Sequence, residues 1–223
     1  MTAMKQSVGK RREQAVEVKA GRVRLQGILG LPASTAGVVL FAHGSGSGRL
    51  SPRNTFVAHT LQDGGLATLL IDLLEEREAD DRRKVFDIDL LADRLLAATE
   101  WLGQEPTTKG FQYGYFGAST GAGAALQAAA RAPASVAAVV SRGGRPDLAM
   151  PYLPRVKAPT LLIVGGHDFP VIQMNQEALA QLICPKELVI VPGATHLFEE
   201  PGTLEEVAGL ALRWFVHYLP NSA

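Results

Sequence analysis

Short apolar runs separated by helical patterns predict an α/β fold, with a mostly parallel open sheet, helices on both faces and an antiparallel hairpin in front. Three observations carry this. Six runs of six to nine residues are largely apolar or β-rich, as strands buried on both faces are. Segments between them repeat apolar residues at three- and four-residue steps, the period of a helix lying on a sheet. The stretch ahead of them alternates apolar and polar residues instead.

That alternating stretch, "AVEVKAGRVRLQGILGLP" (15–32), turns at Ala20-Gly21 and reads as a half-buried hairpin. The six apolar runs follow in order: "GVVLFAH" (37–43), "LATLLID" (66–72), "FQYGYFG" (111–117), "VAAVVS" (136–141), "APTLLIVGG" (158–166) and "KELVIVPG" (186–193). The clearest helix is "DIDLLADRLLAATEWL" (87–102), whose apolar face is Ile88, Leu91, Leu95, Ala98 and Leu102. The last helix repeats the pattern with Leu204, Val207, Ala211, Trp214 and Tyr218. "EEREADDRRK" (75–84) is a dense mixed-charge run, expected to be a solvated loop or exposed helix start outside any site. Residues 1–14 read as a flexible tail and 15–223 as a single domain, which suits 223 residues of which 47% are hydrophobic.

Charge and cysteine content narrow the function. Lys+Arg and Asp+Glu both number 22, so overall charge does not draw the chain to nucleic acid. With Cys184 as the only cysteine there is no intrachain disulfide framework and no multi-cysteine zinc site, which fits a reducing cytoplasm. Neither a membrane span nor a signal peptide is visible, and no metal or other cofactor is expected. The sequence does not speak to oligomeric state.

One motif carries chemistry. Gly117-Ala118-Ser119-Thr120-Gly121 is a G-x-S-x-G string that follows a strand and opens the helix "TGAGAALQAAARA". A serine at such a bend is exposed on strained backbone, with a helix N-terminus behind it whose free N–H groups favour developing negative charge. The Thr120 N–H is then one oxyanion donor. Tight helix-to-sheet packing alone is the competing explanation, and it suits Gly123 and the alanines after it.

A serine nucleophile needs a general base, itself oriented by a carboxylate. His196, in "VPGATHLF", follows the last strand, and Asp168, in "LLIVGGHDFPV", follows the strand before it. Loops at the carboxyl ends of parallel strands converge on one rim, and Ser119, Asp168 and His196 all occupy such ends. His167 is a competing base and Asp72 a competing acid, while His59 and His217 fall inside helical patterns. The loop "FAHGSGSGRLSPRN" supplies the second oxyanion donor, the Ser45 N–H, with His43-Gly44 as its turn; it lacks the G-K-[ST] ending of a phosphate loop. His43, Arg53 and Arg142 are candidate substrate-binding residues, the arginines (with Arg145) for a substrate carboxylate.

With "HGSGSG", "GASTG", "GGHD" and "GATH" in place, the chain resembles the α/β-hydrolase superfamily over roughly residues 15–220, and within it the small dienelactone-hydrolase-like esterases. The resemblance implies a serine esterase with the triad Ser119, Asp168 and His196 and a small-molecule ester as substrate. Dienelactone hydrolases typically carry a cysteine nucleophile, whereas here the position is Ser119. Only residues 142–157 separate two strands between which larger relatives insert a cap, so the implied site is uncovered and suits small or surface-presented esters. An acyltransferase using the same residues and a non-catalytic ligand-binding protein of this fold are the alternatives.

Overall fold

The computed structural model describes residues 11–219. Of the tail expected over 1–14, residues 1–10 lie outside the described residues and Arg12–Gln14 belong to the first strand. That strand, β1 (Arg12–Ala20), pairs antiparallel with β2 (Val23–Leu31) across the expected turn, where Gly21 takes φ +61.

The chain then alternates: β3 (Val38–Ala42), α1 (Pro52–Asp63), β4 (Ala67–Ile71), the one-turn helices α2 (Glu76–Ala79) and α3 (Arg82–Val85), and α4 (Ile88–Gln104). After these come β5 (Tyr113–Ala118), α5 (Thr120–Arg131), β6 (Ala138–Arg142), a 3-10 segment (Pro146–Arg155), β7 (Thr160–Gly165), α6 (Phe169–Gln181), β8 (Lys186–Val191) and α7 (Thr203–Tyr218). The eight strands form one sheet in the order β1-β2-β4-β3-β5-β6-β7-β8; β2 joins β4 antiparallel and the pairs from β4 to β8 are parallel.

The period-2 geometry of a strand splits each apolar run between two layers. Val38, Leu40 and Ala42 of β3 join the core under α4 and α5, while Val39 and Phe41 join the core under α1 and α7. All five expected positions of α4 are buried. In α7, Val207 and Ala211 are buried, and Leu204, Trp214 and Tyr218 pack half-buried beside them.

Two expectations change. "KELVIVPG" is an edge strand: with β7 on one side only, β8 buries Val191 alone of its six residues. The 75–84 run is not simply solvated, because it folds into α2 and α3 and buries Glu78 against Arg94 of α4. No helix among the described residues is long and apolar enough to cross a membrane.

Candidate active site

Ser119 sits between β5 and α5 with φ 51 and ψ −121, a backbone conformation that L-residues rarely adopt. The flanking glycines are enforced by space. A Cβ at position 121 would fall 2.1 Å from the Ala42 carbonyl oxygen, and one at 117 would fall 2.5 Å from the Ala122 Cα. The turn after β3 also presses on the serine, since a Cβ at position 44 would come 2.9 Å from the Ser119 Cβ. Ser45, next in that turn, and Thr120 line the same cavity. Neither amide donates a hydrogen bond among the described residues.

The acid and the base come from the two later strand ends. Asp168 stands at the head of α6, and its carboxylate accepts a 2.6 Å hydrogen bond from His196 Nδ1. A carboxylate only accepts, so Nδ1 carries the proton and Nε2 keeps its lone pair. No hydrogen bond joins Ser119 Oγ to the ring, whose side-chain bond is to Asp168. One segment nonetheless touches both partners. Ser119 N donates to the Arg142 carbonyl at 3.3 Å, Arg145 N donates to the Ser119 carbonyl at 3.0 Å, and a Cβ on Gly143 would lie 3.5 Å from His196 Nδ1 and Cε1.

The histidine loop has an anchor that sequence reading missed. Glu200 accepts from Thr195 N at 3.1 Å and from Thr195 Oγ1 at 2.6 Å, and these bonds hold its carboxyl below the usual range. Phe198 takes φ 56 and buries its ring, plugging the loop into the α1/α7 layer. A polar residue four positions after a histidine gives no sequence signal of this kind.

The structure assigns the remaining candidates different tasks. His43 has no free ring nitrogen for a substrate: Nε2 accepts from Leu73 N at 2.9 Å, and Nδ1 faces the Gly44 carbonyl at 3.1 Å. Burial lowers its pKa and keeps it neutral, so it fixes the turn. Asp72 is engaged by Arg49, accepting from its backbone N at 2.6 Å and from its guanidinium. His167 is tied through its backbone N to the Ala194 carbonyl, and its ring lies beside Phe169, not on Asp168. Arg145 is paired with Asp147.

Arg53 and Arg142 differ from these. Arg53 donates to Glu199 at 3.1 Å, and its Nε is buried without a partner among the described residues. Arg142 is 8% exposed, and neither its Nε nor its Nη1 has a partner among the described residues. Burial, with Arg53 nearby, pushes its pKa down to about 10, and its guanidinium lies 5.8 Å from the centre of the Phe198 ring.

The dienelactone hydrolase family model matches residues 26–215. A crystal structure of a dienelactone hydrolase from Anabaena variabilis is 62% identical, with a TM-score of 0.91 over 94% of this chain and 99% of that one. The chain belongs to the dienelactone hydrolase family.

Other similar proteins extend the comparison. Curated proteins from two strains of Mycobacterium tuberculosis, provisionally named phosphoribosyl transferases, are 57% identical over 208 residues, 93% of this chain and 47% of theirs. The chain thus spans about half the length of those relatives. Est1E from Butyrivibrio proteoclasticus shares the fold at 16% identity, with a TM-score of 0.79 over 92% of this chain and 98% of that one. As a family member this chain puts a serine at the elbow, and Cys184, its only cysteine, is buried near Thr160 on β7.

Proposed function

We propose that the protein is a serine hydrolase that cleaves carboxylic esters of small or exposed substrates in the cytoplasm, through an acyl-enzyme on Ser119. The observation that carries the reading is a serine held at φ 51 at a helix head, bracketed by the same segment that lies under an aspartate-bonded histidine.

In the first half-reaction His196 Nε2 takes the Ser119 proton while Oγ attacks the ester carbonyl carbon. The Ser45 and Thr120 amides stabilise the resulting oxyanion, aided by the N-terminus of α5. Collapse breaks the bond to the alcohol, which leaves with the proton from His196. In the second half-reaction water gives a proton to His196, its oxygen attacks the acyl carbon, and the acid departs as Ser119 regains its proton. Asp168 holds the ring in the tautomer that leaves Nε2 free and stabilises the imidazolium.

Arg142 and Arg53 stand beside the histidine loop, so in this reading they face the leaving-group side and meet a negatively charged group there. What supports this is the pair of unpartnered buried N–H groups on Arg142, a cost that an anion would offset. Turnover of 4-nitrophenyl butyrate by the wild type and Ser119→Ala tests the reading. The expected loss is about a thousandfold or more, and equal rates overturn it; adding an alcohol acceptor shows from the products whether water or the acceptor takes the acyl group.

A further inference from the structure

Beside Thr120, the residue after Ser119, a cavity of about 330 Å³ opens between the turn after β3, the α2–α3 segment and Leu91 of α4. Ser45 and Thr120 form one side of it, and Leu74, Val85 and Leu91 form an apolar floor that is 8%, 9% and 3% exposed. Ala79 and Asp80 stand at its rim.

We propose that this cavity receives the acyl group of the substrate and selects a short, uncharged, apolar one. The inference rests on the hydrolase reading of Ser119. Once the carbonyl oxygen lies between the Ser45 and Thr120 amides, the leaving oxygen must face His196 to collect its proton. The acyl group then has the opposite flank, and neither the His196 loop nor the Asp168 turn lines this cavity.

Size and charge define the class. A volume of 330 Å³ is at the lower end of the ~300–1,000 Å³ range of small-molecule pockets, and it admits a short chain better than a long or polycyclic one. Among the described residues no lysine or arginine lines it, His43 on its wall is kept neutral by burial, and the Asp80 carboxylate at the rim repels an acyl group with a second carboxylate.

The wall is held rigidly. Glu78 of α2 accepts from Arg94 of α4 at 2.6 and 2.9 Å and from Lys84 of α3 at 2.9 Å, while Arg94 also donates to the Leu73 carbonyl at 2.7 Å. One buried carboxylate therefore fastens both short helices, and with them Ala79 and Val85, to the helix that carries Leu91. A floor fixed in this way measures chain length.

The test is a series of 4-nitrophenyl acetate, butyrate, hexanoate, octanoate and decanoate, read as kcat/KM, with the hydrogen glutarate ester set against the valerate ester. The wild type should favour the short chains, fall by about tenfold or more between hexanoate and decanoate, and prefer valerate to glutarate by about tenfold. Leu91→Ala should move the optimum to longer chains. Ala79→Trp, at the exposed rim and outside the core, should depress hexanoate relative to acetate, and it keeps the test decisive where Leu91→Ala folds poorly. An unchanged profile in both variants, or glutarate cleaved as fast as valerate, overturns the pocket assignment while the ester hydrolysis itself stands. If no ester of the series is cleaved, the hydrolase reading fails and the pocket assignment falls with it.

Discussion

Arg94 and Arg142 are buried almost equally, at 5% and 8% exposure, yet their surroundings are opposite. Arg94 makes two charge-assisted bonds to Glu78 and one to the Leu73 carbonyl. Arg142 makes no side-chain hydrogen bond among the described residues, has Arg53 close enough to lower its pKa, and gains mainly the face of Phe198. A guanidinium stacked on an aromatic ring recovers about 0.5–2 kcal/mol, less than unpaired burial costs. The first arginine is spent on structure. The second carries a cost that its described neighbours do not offset in full, beside the loop that holds His196.

The contrast can be broken by substitution. Arg94→Met should have the largest effect, about 3 kcal/mol of lost stability in chemical denaturation, because it leaves the buried Glu78 carboxylate with the half-exposed Lys84 as its remaining cation. A loss under about 1 kcal/mol would place Arg94 with the weak surface pairs.

Acid unfolding probes the same pair. Arg94 and Lys84 draw the Glu78 pKa down to about 2. A depressed carboxylate adds stability that is complete above its unfolded pKa of about 4.3 and is lost as pH falls toward 2, about 3 kcal/mol in all. Glu78→Gln should flatten that part of the stability–pH curve, and an unaltered acid limb would show that the pair contributes nothing.

Arg142→Met should act in the other direction, raising stability by about 0.5–2 kcal/mol while reducing turnover of esters whose alcohol carries an anion. A destabilisation as large as that of Arg94→Met would erase the difference between the two sites. The smallest effect belongs to a third arginine in the same region, Arg145, paired with Asp147 near the surface. Asp147→Asn should cost about 0.5 kcal/mol or less, measured in the same denaturation experiment.

Local patterns made most of the fold legible. The apolar runs mark the strands because a strand between two helical layers has no polar face, and the three- and four-residue steps mark α4 and α7. The edge position of β8 was not readable: its Leu188–Val191 stretch is as apolar as a central strand, and only the sheet order leaves it one neighbour. The pairing of Asp168 with His196 was legible because each follows a strand, and the structure brings His196 onto Asp168. The task of His43 was hidden, because a histidine in a loop does not reveal that backbone groups occupy both ring nitrogens. The charged run at 75–84 misled for a related reason. Glu78 has the composition of a solvated face, and Arg94, sixteen residues on, together with Lys84 makes its burial tolerable.

The most direct test of the central claim is covalent labelling of the intact protein with a fluorophosphonate, followed by peptide mass spectrometry of the wild type, Ser119→Ala and His196→Ala. Rapid, stoichiometric modification of Ser119 in the wild type, none in Ser119→Ala and strongly slowed labelling in His196→Ala is the predicted result. Label on any other residue, or labelling undiminished by the loss of Ser119, would contradict it.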